Sequence, residues 1–144
     1  METRVVAGVE LHEVARSILL KAIATRDPQR FMATIVIGGD RIACCDEGVV
    51  FDDDPYRGVA TIAPDGEFGG NGLPSILGVF VRATDRQRGY GTALFTAAVR
   101  RCIEQGFGRV HVDVLSEGMR HIVEKLPRDL RAVLEVEWNI MMLA

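Results

Sequence analysis

Apolar residues recur along this chain at two spacings, and the switches between them mark out the elements. Leu11, Val14, Ala15, Ile18, Ala22 and Ile23 return every three or four residues, with Glu13, Arg16 and Lys21 on the other side. That spacing predicts an amphipathic helix. Val5 and Val6 ahead of it start a short strand, and Asp27-Pro28 stops it, because the residue before a proline is driven out of helical geometry. Ala33 to Ile37 is a β-branched run, followed by Gly38-Gly39-Asp40 and a second run, Arg41 to Cys45. Two such runs about a glycine-rich turn predict a hairpin. Val49 to Phe51 and Val59 to Ala63 predict further strands, and the glycine-rich stretch from Pro64 to Pro74 predicts a mobile loop.

The second half is more regular. Ser75 to Val81 is nearly all apolar, as in a strand covered on both faces. Thr84 to Arg88 is a polar turn, and a helix is predicted from Gly91 to about Gln105. Leu94, Ala98 and Cys102 form one stripe of it, Phe95, Val99 and Ile103 lie beside them, and Gly106 suits its C-terminal cap. Val110, Val112 and Val114 alternate with His111 and Asp113, giving a strand expected to run parallel to the one before the helix. Met119, Ile122, Val123 and Leu126 predict a short helix ended by Pro127, and the alternation from Leu134 to Ile140 predicts a closing strand. The order is a helix, several strands, then β–α–β–α–β. It predicts one α/β (α+β) domain over residues 1–144, with a mixed sheet and helices on both faces.

Composition narrows the class. A chain of 144 residues has the size of one domain and buries enough surface to fold without metal or disulfide. A net charge of −3 supplies no broad basic field, so nucleic acid is not an expected partner. No run approaches the length of an apolar membrane span, and the first residues lack a secretory signal. Cys44, Cys45 and Cys102 show no metal-ligand spacing and read as reduced thiols in or near the core, so the expected location is cytoplasmic and no metal is expected.

The segment with the most chemistry is Arg86-Gln87-Arg88-Gly89-Tyr90-Gly91-Thr92. It joins the end of a buried strand to the start of a helix, where backbone N–H groups lack internal partners and the peptide dipoles leave roughly half a positive charge. A diphosphate satisfies both features. Gly89 and Gly91 let the backbone bend and let phosphate oxygens approach, Arg86 and Arg88 add charge at the mouth, and Thr92 offers a hydroxyl. A dinucleotide fingerprint needs a third glycine where Leu94 stands, and a nucleoside-triphosphate loop needs Gly-Lys-Ser/Thr, so neither fits.

These residues resemble the GNAT acyltransferase family, whose hallmark is Gln/Arg-x-x-Gly-x-Gly/Ala after a hydrophobic strand and at the start of a helix. Leu77-Gly78-Val79-Phe80-Val81 is similar to the family's fourth strand, which bulges and splays from the fifth. The likeness covers Ser75 to Val114 and extends to Leu126; before Ser75 it lies in the order of elements. It implies a mostly antiparallel central sheet with a splayed parallel strand pair, acetyl-CoA as co-substrate and an amine as acceptor. By that resemblance, main-chain groups near Phe80 and Val81 pair with the pantetheine arm, and the amides of Gln87 to Thr92 hold the pyrophosphate. The acyl carbonyl then lies between residues 76–81 and 109–115. The family often continues with Asn-x-x-Ala-x-x-x-Tyr-Glu-Lys-Leu-Gly-Phe. Here Ser116 stands for the Asn, Glu124-Lys125-Leu126 is kept, and Val123 replaces the Tyr that commonly protonates the departing thiolate.

Amide formation needs a neutral amine, and one of pKa about 10.4 is only about 0.04% neutral at pH 7, a handicap of roughly 4–5 kcal/mol. Glu117 follows the fifth strand near the expected thioester, and His121 has a pKa suited to proton transfer, so these are the catalytic candidates. His121 projects about 160° from Val123 around a helix and does not simply replace the Tyr. Alternation leaves open whether His111 or Asp113 faces the cleft. Tyr90 is expected to pack, Tyr56 beside Asp52-Asp53-Asp54 could line an acceptor site, and His12 receives no role. Two readings follow: an N-acetyltransferase acting by direct attack, or a catalytically silent acyl-CoA-binding module. Trp138 to Leu143 is apolar enough to read as a pairing edge, so a homodimer is an expected arrangement.

Overall fold

The computed structural model describes residues 1–64, 66 and 72–139. Strands β1 (Thr3–Ala7), β2 (Glu47–Phe51), β3 (Gly58–Ala63) and β4 (Ser75–Val81) pair antiparallel in turn. β5 (Val110–Val114) joins β4 in parallel and β6 (Leu134–Trp138) joins β5 in parallel, so the sheet runs β1-β2-β3-β4-β5-β6. Parallel neighbours need crossovers. Helix α4 (Tyr90–Glu104) supplies the first, and α5 (Glu117–Glu124) with α6 (Arg128–Arg131) the second. Helices α1 (Gly8–Ala24), α2 (Arg30–Val36) and α3 (Gly39–Ala43) precede β2.

Strand side chains alternate between faces, and here each face meets helices. Phe51, Ile62, Ile76, Val112 and Val114 pack with Leu94, Phe95, Ala98, Val99 and Cys102 of α4. Val50, Val59, Leu77 and Phe80 pack with Leu11, Val14 and Ile18 of α1 and with Ala33 and Val36 of α2. The mixed sheet with helices on both faces is thus as the sequence predicts. Each large side chain removed from water, such as Phe51 or Phe95, contributes roughly 1.5–3 kcal/mol.

The predicted hairpin over Ala33–Ile37 and Arg41–Cys45 does not form; those residues make α2 and α3. Met32, Ala33, Val36 and Ile37 also fit helical spacing, and burying them against α1 and β4 overrides β-branched propensity. Gly39 at φ +54° opens α3 rather than turning two strands. The helix predicted from Gly91 begins one residue earlier at Tyr90, and Gly106 at φ +96° follows its end. Within the loop expected over 64–74, residues 65 and 67–71 lie outside the described residues, as do residues 140–144 of the apolar tail.

α2 packs closely on β4 at Gly78. A Cβ placed on Gly78 would stand 2.7 Å from Val36 Cβ. Gly78→Ala is therefore expected to destabilise the fold by about 1–3 kcal/mol in urea titration. Adding Val36→Ala removes the Cγ methyls but keeps the Cβ at 2.7 Å, so most of that loss is expected to remain.

Candidate functional site

β4 carries one residue too many for its partner. Ile76 lies opposite Ile62 and Gly78 opposite Thr61, so Leu77 is the extra residue of a β-bulge. On the other side, β4 pairs with β5 only at Ser75↔His111 and Ile76↔Val112. Beyond these two pairs the strands diverge. A small cavity of about 20 Å³ lies between Leu77, Gly78 and Val79 on one wall and Asp113, Leu115 and Ser116 on the other. It shares Met32, Val79, Ser116 and Met119 with a larger cleft of about 300 Å³.

That cleft reaches the loop after β4. A 3-10 turn at Ala83–Asp85 leads to Gln87 at φ +64° and Gly89 at φ +80°, both left-handed, and Gly89 caps α4. The Gly89 geometry calls for glycine on backbone grounds, since a Cβ there meets nothing within 4 Å. At Gly91 the reason is space, with Ile122 Cδ1 3.0 Å from an added Cβ. Among the described residues, no hydrogen-bond acceptor takes the N–H of Gln87, Arg88, Gly89, Tyr90, Gly91 or Thr92, and the first bond of the helix is Ala93 N–H to Gly89 O at 3.1 Å. Gln87, Gly89, Tyr90, Gly91 and Thr92 line the cleft. Six free donors and the positive end of a helix suit an anion.

Arg86 also lines the cleft, with its guanidinium engaged by the protein itself. Its guanidinium forks onto Asp27, both bonds at 2.6 Å, while its Nε donates to Val81 O at 3.0 Å and its plane lies 5.1 Å from the Phe80 ring centre. Asp27 is 3% exposed. Burial acts to raise the pKa of its carboxyl, but the bonds from Arg86 and from the Gln29 N–H outweigh that and hold it below the usual range. Arg86 therefore ties the turn after α1 to the loop between β4 and α4. The register turns the main-chain groups of Val79 and Val81 toward the cleft, because Arg82 N–H bonds Arg57 O on the β3 side. The Val81 carbonyl is already taken by Arg86.

The other candidates separate. Phe80, Val81, Ser116 and His121 line the cleft. Ser116 also caps α5, its Oγ accepting from Met119 N–H at 3.1 Å. Arg88 is exposed and does not line the cleft. Glu117 is also outside it, exposed and 3.7 Å from Arg120. Tyr90 packs edge-on against Phe51, 5.2 Å between ring centres, with Arg57 over its face. Tyr56 lines a separate cavity of about 420 Å³ between α1 and the end of β4. His12 is exposed on α1 and lines neither. Burial pushes the Cys45 thiol up to about 11 and the Cys102 thiol up to about 12, so neither is a thiolate nucleophile at neutral pH. Among the described residues, no group of three His, Cys, Asp or Glu side chains is placed to hold a metal ion, and no helix is long and apolar enough to cross a membrane.

Pattern reading missed a buried polar strip on the α1–α3 face of the sheet. Ser75 Oγ lies 2.9 Å from His111 Nδ1, and His111 Nε2 lies 3.1 Å from Glu137 Oε2. Next along the strands, Asp113 accepts from Arg41 Nη1 at 2.9 Å and from Asn139 Nδ2 at 2.7 Å. The only signal was alternation, which put His111 and Asp113 opposite the core valines; nothing in the spacing pointed to Arg41.

A family model described as the acetyltransferase (GNAT) family matches residues 9–126. Comparison with curated protein sequences returns no match. The fold is similar to a solved N-acetyltransferase from Lactobacillus plantarum, at 14% identity and TM-score 0.57, covering 85% of this chain and 80% of that one. It is similar to a GNAT-family acetyltransferase from Staphylococcus aureus Mu50, at 11% identity and TM-score 0.55, covering 89% and 88%. It also resembles an aminoglycoside N-acetyltransferase solved with CoA, at 19% identity and TM-score 0.51, covering 90% and 89%.

The Asp27–Arg86 tie predicts an acid-sensitive difference. A carboxyl whose folded pKa is depressed contributes stability above its unfolded pKa, about 3.9, and loses it as pH falls through the folded value. Asp27→Asn is expected to cost about 1.5–3 kcal/mol at pH 7. That difference from the unmutated protein is expected to shrink steadily below about pH 4 in denaturant titrations.

Proposed function

Because the chain belongs to the acetyltransferase (GNAT) family, we propose that it transfers an acetyl group from acetyl-CoA to the primary amine of a small molecule or protein by direct attack. The observation that carries this reading is the run of six unaccepted main-chain N–H groups from Gln87 to Thr92, at the mouth of a cleft that continues between two diverging strands. An anion the size of a pyrophosphate meets those donors with no side chain in the way at Gly89.

In this reading the amides of Gln87 to Thr92 bind the diphosphate, with Lys125 on the cleft wall and Arg88 outside it adding positive charge. Arg86 contributes by fixing the loop rather than by touching the anion. The main chain of Val79 and the Val81 N–H bind the amide-bearing arm, and Phe80 and Ser116 bound it. The amine nitrogen bonds to the acyl carbon, the carbon–sulfur bond breaks, and the amine proton passes to the departing thiolate. His121 is the titratable side chain of α5 that lines the cleft, and it is assigned that transfer, directly or through water. Glu117 is exposed beside Arg120 and is not among the residues lining the cleft, so it is left a surface role. The proposed setting is cytoplasmic.

A second reading, an acyl-CoA-binding module without turnover, is favoured by one feature. Val123, where the family commonly carries Tyr, is 2% exposed and packed into the α4 core.

Acetyl-CoA at one hundred times its Kd is expected to stabilise the protein by about 2.7 kcal/mol and raise Tm. Gly89→Val, which forces a β-branched residue into a left-handed turn, is expected to erase that shift. A shift that survives in this variant would place the anion elsewhere. Release of CoA thiol with a panel of amines then separates the readings, since turnover requires the enzyme and its absence across the panel indicates the binding module.

A further inference from the structure

The Leu77 bulge leaves a problem that a side chain from another element solves. A bulged residue falls out of the ladder, and its carbonyl, if buried without a donor, costs as much as a lost hydrogen bond. Leu77 is 0% exposed. Its carbonyl accepts from Arg41 Nη2, and the same guanidinium donates through Nη1 to Asp113 Oδ2 at 2.9 Å. Leu77 and Asp113 are on opposite walls of the gap between β4 and β5. One planar fork thus spans the gap at the point where strand pairing ends.

Arg41 comes from α3, an element outside both strands, and its side chain is 13% exposed. Asp113 is fixed from its other side by Asn139, whose own N–H bonds Val114 O at 2.8 Å, so β6 holds the far end of the bridge. A direct N–H···O bond between the strands would bring donor and acceptor to about 2.9 Å. A guanidinium with an acceptor on each side holds those acceptors further apart and fixes their separation, because the fork is rigid.

We propose that Arg41 is a positioning residue that sets the width of the β4–β5 slot, and so decides whether the arm of an acyl-CoA can enter it. The proposal rests on the reading that the Gln87–Thr92 loop binds the diphosphate of that ligand. The phosphate loop lies beyond Val81, away from Leu77 and Asp113, so the two ends of the ligand should respond differently to loss of Arg41.

The test compares two ligands: acetyl-CoA, which has the arm, and adenosine 3′-phosphate 5′-diphosphate (3′-phospho-ADP), which keeps the diphosphate but has no arm. Binding of each is measured by calorimetry to the unmutated protein, Arg41→Gln and Arg41→Lys, with Tm recorded for all three. In Arg41→Gln, acetyl-CoA affinity is expected to fall by about tenfold or more, and 3′-phospho-ADP affinity to stay within about twofold. Arg41→Lys keeps the charge but cannot fork to both walls, and is expected to show the same split to a smaller degree; it carries the test if Arg41→Gln does not fold. An equal loss for both ligands, or no loss for either, overturns the proposal while leaving the loop assignment intact. If the unmutated protein binds neither ligand, the diphosphate reading fails and this proposal fails with it.

Discussion

One surplus residue in β4 organises this molecule. Up to Ile76 the strand pairs with both neighbours; at Leu77 the bulge switches which main-chain groups point at β5, and the parallel ladder ends after two pairs. A sheet interior is an unfavourable place to leave peptide groups unpaired, so the gap persists only where other groups serve them. Arg41 serves Leu77, Arg86 serves Val81, and the remaining groups between are turned toward a cleft. The site is thus what is left once side chains from elsewhere in the chain serve the Leu77 and Val81 carbonyls.

The two arginines that do this work come from distant parts of the sequence and act at opposite ends of the same strand edge. Arg86 is tied back to Asp27 in the turn after α1, and Arg41 reaches from α3 across to β5. Both are mostly buried and each holds a carboxylate that is nearly inaccessible, Asp27 at 3% and Asp113 at 5% exposure. Pairs of this kind are weak evidence for stability, because desolvation offsets much of the attraction. Their geometric value is clearer, since a fork bonded on two sides fixes distance and orientation together.

Much of the second half was legible because its physics is local. The run of apolar residues in β4, the stripe on α4 and the alternation in β5 each follow from period alone, and together they place a glycine-rich turn between a buried strand and a helix start. The first half was less so. Ala33–Ile37 is β-branched and followed by two glycines, yet the core under α1 needed a helix there, and tertiary burial decided. The side chains at the site were least legible. The motif placed Arg86 correctly in the chain but not its guanidinium, whose partner lies 59 positions away in sequence. Arg41 carried no signal at all, because its partners, a bulged carbonyl and Asp113, become neighbours only once β4 and β5 lie side by side.

The two hydrophobic cores are separated by the sheet, and β5 with β6 is joined to the rest of that sheet by the short Ser75–Ile76 seam. An elongated guest carrying its own peptide-like groups could add the rungs that this seam lacks. Loading would then stitch the C-terminal strands to the N-terminal ones, and the stiffness of the whole sheet would become a measure of occupancy.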